Sequence, residues 1–209
     1  MELYYSPMAC SFAAHVICHE LGQPPKLHRV HLRQQSLADG SDYKAINPTA
    51  LVPTLVLESG DKITETVAVL SYLADQAAPG QLAPKPGTPA FYHHLGWMAF
   101  INTELHKRIF HLIFWPGDDE DAIRKARALA PRRLDQLEDH FADRPFLMGD
   151  RFMAGDAYLL WWLMLTRTAG IDLAQFPRLR SYLKAGLARP SVASAKSAED
   201  HDAVVTASS

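Results

Sequence analysis

The sequence contains few cysteines, little excess charge and no long apolar run. Two cysteines among 209 residues are too few for the disulfide framework of a secreted scaffold, and the first residues lack the charged and apolar segments of a signal peptide. Lysine and arginine number 21 against 23 aspartates and glutamates, so no positive excess attracts a nucleic acid. The longest apolar run, residues 157–165, is under half of the ~20 residues that a membrane-spanning helix needs. These absences exclude nucleic-acid and membrane partners and predict a cytoplasmic protein.

The two cysteines are also too far apart to pair if they share one helix. Eight steps of ~1.5 Å separate Cys10 from Cys18 by ~12 Å, whereas a disulfide needs Cα atoms within ~7 Å. We therefore expect two free thiols. Cys18 follows Val16 and Ile17 in a helical pattern and is interpreted as part of the apolar core.

The first 77 residues predict a small α/β domain in which short strands and helices alternate. Proline and glycine end most of the segments, and a Ser-Gly-Asp turn at 59–61 marks a hairpin. The predicted strands cover residues 2–5, 28–32, 54–57 and 62–64, and the predicted helices cover 11–21 and 66–76, with room for one short helix in the polar stretch before Asn47.

A segment rich in proline and glycine, residues 78–87, is interpreted as a linker to a second domain. Residues 88–209 predict an all-helical domain. Its helices are expected at 91–114, from 118 onward, at 152–168 and at 178–188. Pro131 should kink or interrupt the second of them. The end of the chain, 191–209, is rich in alanine and serine and is expected to fray.

Cys10 lies where the first predicted strand gives way to the first predicted helix. At a helix N-terminus, unpaired amides and the helix dipole stabilise a thiolate, which makes Cys10 a candidate nucleophile. An inert buried cysteine is the alternative that position alone leaves open. Ala13 occupies the position three residues on, so a dithiol cycle within this motif is excluded.

Two further features suit a small ligand with peptide character. Val52 precedes Pro53 at the start of a strand, where a cis peptide bond would turn the Val52 backbone toward an extended peptide. An ordinary loop proline is the alternative. Glu65 and Thr66 open a helix whose free amides suit a carboxylate, while Glu65 suits an ammonium group. Simple helix capping is the alternative there.

Histidines supply the remaining candidates. His106 lies on the first helix after the linker and could interact with a thiol, although a histidine in an amphipathic helix more often serves packing. His15 and His19 have helical metal-ligand spacing. That segment offers at most three ligands, with no other cluster in view, so we expect no metal site.

Taken in order, these features resemble the soluble glutathione S-transferases, and specifically the bacterial beta class. The resemblance covers nearly the whole chain and rests on motifs in matching order and spacing. They are Tyr4–Pro7 with Ala9–Ser11, Asn47–Pro48 with Val52–Pro53, Thr64–Ala68 with Tyr72–Ala74, Phe100–Ile101 with Thr103–Lys107, and Asp156–Tyr158 with Arg189–Val192.

The resemblance implies a thioredoxin-like N-terminal domain, 1–77, and an all-α C-terminal domain, 88–209, in a homodimer. It implies catalysis by Cys10 and His106, with glutathione as co-substrate and no metal, and makes Tyr5 and Ser11 secondary candidates. The residues that it assigns to glutathione binding are Cys10, Val52, Pro53, Glu65, Thr66, Thr103, Glu104, His106 and Lys107.

Four positions depart from the family pattern. Gln35 replaces a common basic residue and Ala99 a common asparagine, so two expected polar contacts are in question. Met153 replaces the serine or threonine expected to cap a helix, at a cost of ~1 kcal/mol. Met8 stands where glycine is frequent and adds bulk beside the thiol.

The sequence thus favours a glutathione transferase that joins the glutathione thiolate to electrophilic, mostly apolar small molecules. One alternative is glutathione-dependent thiol–disulfide exchange or peroxide reduction through a mixed disulfide on Cys10. The other is a non-catalytic binding protein that keeps the fold.

Overall fold

The computed structural model describes residues 1–115, 117 and 119–207. It divides into two compact units: residues 1–77 together with the segment from Ala188 onward, and residues 78–187. The predicted domains follow chain order, whereas here the last helix groups with the first unit. The predicted linker, 78–87, groups with the second unit, where Leu82 is buried and its carbonyl accepts the Ala154 amide at 2.9 Å.

The first unit is built on a five-stranded mixed sheet in the order β3-β2-β1-β4-β5. Its strands are β1 (Glu2–Tyr5), β2 (Lys26–His31), β3 (Ser36–Leu37), β4 (Thr54–Val56) and β5 (Lys62–Thr64). β1 and β2 are parallel, and the other neighbours are antiparallel. Successive side chains of the central strand β1, Leu3 to Tyr5, are all buried, which requires both faces of the sheet to be covered. The four predicted strands are confirmed. The fifth, β3, has no counterpart in the prediction, because two residues are too few to show an alternation of apolar and polar side chains.

Two helices of this unit follow the predicted pattern: α1 (Ser11–Glu20) and α2 (Thr66–Asp75). The polar stretch between β3 and β4 holds one turn of 3₁₀-helix, Tyr43–Ala45. Both cysteines are free thiols. Cys18 is fully buried in α1, and burial raises the pKa of its thiol to about 12, so its interpretation as a core residue is confirmed.

The end of the chain is helical, and the expectation that it frays is wrong. The last helix, Pro190–Ala207, packs against α1. Val192 and Ala195, one helical turn apart, are buried, and small side chains allow such close approach. Alanine is also the strongest helix former, so the composition that suggested disorder favours this helix. Residues 208 and 209 lie outside the described residues.

Among the described residues of the second unit, the regular elements are helices joined by turns. Its helices begin with α3 (Pro89–Phe100), a π-helical segment (Ile101–Phe110) and α4 (His111–Phe114), which together form the predicted helix 91–114. They continue with α5 (Glu120–His140), α6 (Ala154–Met164) and α7 (Pro177–Leu187), so that the last helix, Pro190–Ala207, is α8. The π-helical segment has no counterpart in the sequence-based prediction. The predicted helix boundary at Pro116 and Asp118 falls on residues outside the described part of the chain.

The apolar run that includes Ala157 lies in α6, where every residue from Ala154 to Leu163 is buried. A buried core helix explains such a run without a membrane. No helix among the described residues combines the length and the apolarity that crossing a membrane requires.

α5 continues through Pro131, so the predicted interruption is wrong. Buried side chains lie on one stripe on both sides of the proline, at Ala126, Ala130, Leu134 and Leu137. Packing of this continuous stripe outweighs the ~3 kcal/mol that a proline costs inside a helix.

The start of α6 obtains its hydrogen bonds from outside the predicted capping position. The Gly155 amide donates to Nε2 of buried His94 at 3.0 Å, and the Met153 amide donates to Asp156 at 2.9 Å. Burial lowers the pKa of His94 to about 4, so its ring is neutral and can accept this bond. His94 therefore supplies an acceptor that Met153 lacks.

Candidate functional site

Cys10 occupies the N-cap position of α1, as predicted. The chain leaves β1 at Tyr5 and turns at once, with the Ala9 amide donating to the Ser6 carbonyl at 3.0 Å. Cys10 is 7% exposed. Its thiol donates a hydrogen bond to the Val52 carbonyl, with Sγ and O 3.2 Å apart. The structure therefore brings together two of the predicted site residues that are 42 positions apart in sequence.

The Val52–Pro53 peptide bond is cis, as the candidate ligand-pairing segment requires. Buried polar side chains hold the backbone around it. Tyr43 donates to the Leu51 carbonyl at 3.0 Å and lies 2.7 Å from the Thr54 hydroxyl. Asn47 donates to the same carbonyl at 2.9 Å and to Thr54 at 3.1 Å. This network holds the backbone on both sides of Val52 and Pro53.

Sequence reasoning noted Asn47 only within a motif and gave no role to Tyr43 or Thr54. No spacing rule joins these three side chains, because their contacts depend on how the loop folds back. The buried polar side chains at the start of β4 are the signal that could have indicated such a network.

Glu65 and Thr66 form the junction between β5 and α2. Glu65 is exposed and has a left-handed backbone, with φ of 68°, which is uncommon for a residue other than glycine. Its side chain makes no capping bond to α2, and the first turn of α2 contains no acidic residue. The N-terminus of α2 thus keeps the positive electrostatic character that suits an anion, beside an exposed carboxylate that suits a cation.

These two places leave the sheet at the same end. Thr54 of β4 pairs with Thr64 of β5. Pro53 precedes the first of these residues, and Glu65 follows the second. Within the first unit, the thiol, the Val52 backbone and the Glu65–Thr66 junction therefore form one neighbourhood.

His106 lies in the π-helical segment of the second unit, next to the face of α6. Its Nδ1 is 2.8 Å from the Tyr158 hydroxyl, and that hydroxyl donates to Asn102 Oδ1 at 3.0 Å. Since a tyrosine hydroxyl has one hydrogen, His106 donates from Nδ1, and Nε2 carries the lone pair. Burial, and then electrostatic interaction with Lys107 and His111, lowers the pKa of His106 to about 3. The ring is therefore a neutral hydrogen-bond acceptor at Nε2.

The other predicted residues of this segment differ in what they contact. The Thr103 hydroxyl donates to the Ala99 carbonyl at 2.9 Å. Glu104 is paired with Arg133 and Arg108; burial raises its carboxyl pKa, but the hydrogen bonds from the two arginines outweigh this and leave the pKa below its ordinary value. Lys107 is exposed. All three stay predictions as glutathione ligands.

The secondary candidates lie in the interior of the first unit. Tyr5 is fully buried, with its ring centre 6.4 Å from that of His15. Ser11 is also fully buried, and its hydroxyl contacts both backbone groups of Ser6 at 3.3 Å. Ser11 thus stabilises the turn that leads to Cys10.

Gln35, one of the four departures from the family pattern, lies in an exposed loop. Its backbone is left-handed, with φ of 56°. The Gln35 carbonyl accepts the Tyr43 amide at 2.9 Å.

His15 and His19 have their Nε2 atoms 3.3 Å apart. In the portion of the chain that is described, no group of three histidine, cysteine or acidic residues is arranged to hold a metal ion.

Two family models match the chain. The model described as "Glutathione S-transferase, N-terminal domain" matches residues 7–76, and "Glutathione S-transferase, C-terminal domain" matches residues 120–185. A relative from Escherichia coli O157:H7, glutathione S-transferase GstA, is 34% identical over 199 residues, which are 95% of this chain and 98% of the relative.

Solved structures agree with these matches. The bacterial beta class glutathione S-transferase of Sphingomonas chungbukensis has a TM-score of 0.91 at 35% identity, covering 95% of this chain and 98% of that one. A sphingomonad glutathione S-transferase complexed with glutathione has a TM-score of 0.90 at 34% identity, covering 96% and 99%. With its thioredoxin-like first unit and helical second unit, the chain belongs to the glutathione S-transferase family, as its resemblance to the beta class predicts.

Proposed function

We propose that this chain is a glutathione transferase whose first unit binds glutathione beside Cys10. The observation that carries the proposal is the hydrogen bond from the Cys10 thiol to the Val52 carbonyl, at 3.2 Å, in the peptide before cis Pro53. This contact sets a thiol against backbone that can pair with a peptide ligand. The glutathione complex of the sphingomonad relative supports the same ligand here.

The groups of glutathione match the groups of the site one by one. Its γ-glutamyl end carries an ammonium, for the exposed Glu65 carboxylate, and a carboxylate, for Thr66 and the first amides of α2. Its cysteinyl backbone pairs with Val52 as an added strand. Its thiol then lies beside Cys10. We include Thr103, Glu104, His106 and Lys107 of the second unit in the proposal as further contacts.

His106 is not suited to be the base that takes a thiol proton. A base with a pKa near 3 lies about five units below a thiol of ordinary pKa near 8.5, so proton transfer to its ring is strongly uphill. The lone pair on Nε2 can still accept a hydrogen bond. The glutathione thiol gives its proton to water, and catalysis rests on holding the resulting thiolate in line with an electrophilic carbon of a small apolar substrate, whose leaving group departs with its electron pair.

Thiol–disulfide exchange is a second candidate, because Cys10 is a free thiol at a helix N-terminus whereas Cys18 is fully buried. The Cys10 thiolate would attack the glutathione sulfur of a mixed disulfide between glutathione and another thiol, and that other thiol would leave as a thiolate. A glutathione thiolate would then attack the glutathione sulfur held on Cys10, which releases glutathione disulfide and restores the Cys10 thiolate. We also propose a homodimer in the cytoplasm as the working form.

Replacing each cysteine in turn tests both reactions. We expect glutathione at one hundred times its Kd to stabilise the protein by about 2.7 kcal/mol, which raises Tm by ~5–10 °C for a chain of this size. Cys10→Ala should lose the glutathione adduct seen by mass spectrometry, and the control Cys18→Ala should keep it. If Cys10→Ala still conjugates glutathione to a chlorodinitrobenzene at a rate within about tenfold of the parent, conjugation does not depend on Cys10. Transfer is then the main activity. If glutathione neither raises Tm nor supports conjugation in the parent protein, the proposed function is wrong.

A further inference from the structure

A buried carboxylate from the last helix reaches the loop that leads to Cys10. Glu199 of α8 is 1% exposed. Its Oε2 accepts the Met8 amide at 3.0 Å, and its Oε1 lies 3.2 Å from Nδ1 of His15 in α1. Met8 is two residues before Cys10. A residue near the end of the sequence thus contacts both the loop before the thiol and the helix that begins at it.

Two contacts at opposite ends of α1 set the register between α1 and α8. At the C-terminal end of α1, Arg189 makes a bidentate ion pair with Glu20, at 2.9 and 3.0 Å. Ten residues further along the chain, a rise of ~15 Å in a helix, lies Glu199. The same ten-residue distance leads back along α1 from Glu20 to Cys10. The two helices are therefore antiparallel, and Glu199 lies at the level of the thiol.

The burial of Glu199 requires its partners. A carboxylate removed from water is destabilising unless hydrogen bonds satisfy its oxygens. Each of its oxygens has one such contact, to Met8 and to His15, and His15 is itself 1% exposed. Loss of this side chain would leave the Met8 amide and the His15 ring without their buried acceptor.

Met8 is the point at which this contact acts on the loop. Its backbone is left-handed, with φ of 57°, a conformation that costs about 1 kcal/mol for a residue with a Cβ. A hydrogen bond to the Met8 amide opposes relaxation of this conformation. The turn that follows places Cys10 at the start of α1 and its thiol at the Val52 carbonyl.

We propose that Glu199 is a positioning residue for the Cys10 thiol, acting through the Met8 amide. The C-terminal helix thereby sets where the reacting sulfur lies and how far it is shielded. This rests on the proposed function only in taking Cys10 as the reacting thiol. It is tested without glutathione, so its failure and that of the proposed function are distinguishable.

The test compares the rate at which iodoacetamide alkylates Cys10 in Glu199→Ala, Glu199→Gln and Arg189→Ala, measured by mass spectrometry of the Cys10 peptide. In Glu199→Ala the loop is released, and we expect alkylation at least threefold faster than in the parent. Glutamine keeps an oxygen acceptor for the Met8 amide, and its NH2 group can donate to His15 once that ring takes the tautomer with a bare Nδ1, so Glu199→Gln should stay within about twofold. Arg189→Ala breaks the α1–α8 contact at the far end of α1 and should lower Tm while leaving the alkylation rate within about twofold.

Equal alkylation rates in Glu199→Ala and Arg189→Ala overturn the proposal, since Glu199 would then only anchor α8. If Glu199→Ala does not fold, Glu199→Asp, whose shorter side chain cannot reach both partners, is held to the same criterion. Hydrogen exchange of the parent needs no variant: we expect the Met8 amide to exchange at least about one hundredfold more slowly than an unprotected amide. Unprotected exchange at Met8 overturns the proposal as well.

Discussion

The hydroxyl of Tyr158 decides which nitrogen of His106 carries the lone pair. Its one hydrogen goes to Asn102, so it accepts from His106 Nδ1 and leaves the lone pair on Nε2. The His106 and Trp161 rings also pack edge to face, with ring centres 4.8 Å apart. Ring orientation and tautomer are therefore both determined by neighbours on α6 and on the π-helical segment.

Replacing Tyr158 by phenylalanine tests this assignment. Without the hydroxyl, Nδ1 has no acceptor there and the tautomer is no longer held. We expect kcat for conjugation to fall about tenfold, as when a group that orients a functional histidine is removed, with little change in the KM for glutathione. Steady-state kinetics of Tyr158→Phe provide the measurement.

Tyr182→Phe is the matched control for this variant. The Tyr182 hydroxyl is likewise buried in the second unit and donates to Asp156, at 3.0 Å from Oδ1. Either variant should lose about 1 kcal/mol of unfolding free energy, but only Tyr158→Phe should lower kcat. An equal fall of kcat in the two variants would show that the Tyr158 effect is general destabilisation.

At the scale of the site, local sequence signals located the backbone groups but not the side chains that hold them. Cys10 and Val52 could be predicted because strand ends, helix starts and proline have local signatures. Tyr43, Asn102 and Tyr158 were missed as functional neighbours, since each acts through a contact across the fold. Glu199 was missed for the same reason.

At the scale of elements, the clearest departure from the predicted stabilities is the start of α6. Met153 cannot cap this helix, yet the Gly155 amide already has His94 as its acceptor. We therefore expect Met153→Ser to give no gain in unfolding free energy, against the ~1 kcal/mol that an added cap supplies. The serine would also lose the apolar burial of a side chain that is 8% exposed. Urea denaturation measures the difference.

His94→Ala is the complementary variant. It removes the acceptor of a buried amide and leaves a cavity, which together should cost about 3 kcal/mol. His94→Gln can place an amide oxygen near the former Nε2 position and should recover part of that loss. A gain from Met153→Ser together with a loss under 1 kcal/mol in His94→Ala would show that His94 does not cap α6.

The helices that sequence predicted well are those with their own start and stop signals. α1 ends at Glu20, and Gly22 follows two residues later with φ of 68°, a conformation that glycine adopts without strain. α8 has only the start signal of Pro190, and the π-helical segment has none. The burial of Val192, Ala195 and Glu199 on one face of α8 is explained by packing against α1. Tertiary packing, which a local sequence pattern does not contain, therefore determines the structure of both elements.

At the scale of the whole molecule, the order of the predicted elements gave the fold class, and the composition gave the near neutrality of the chain. Neither indicated that α8 belongs to the first unit. The second unit contains two neutral histidines, the buried His94 and the partly buried His106, whose pKa values are lowered to about 4 and about 3, mainly by removal from water. In the unfolded chain each would titrate near 6.5. The unfolded chain therefore binds more protons than the folded one once the pH falls below that value.

This difference predicts acid sensitivity with a defined sign. Both histidines stabilise the fold fully above about pH 6.5, and their contribution is lost as pH falls toward about 4. Together they should remove about 5 kcal/mol between pH 7.5 and 4.5. Protonation of His94 also puts a hydrogen on Nε2, opposite the Gly155 amide that donates to it. His94→Gln should remove about half of this pH dependence in urea titrations at the two pH values. A fall in His94→Gln as steep as that of the parent would mean that His94 is not neutral in the folded protein.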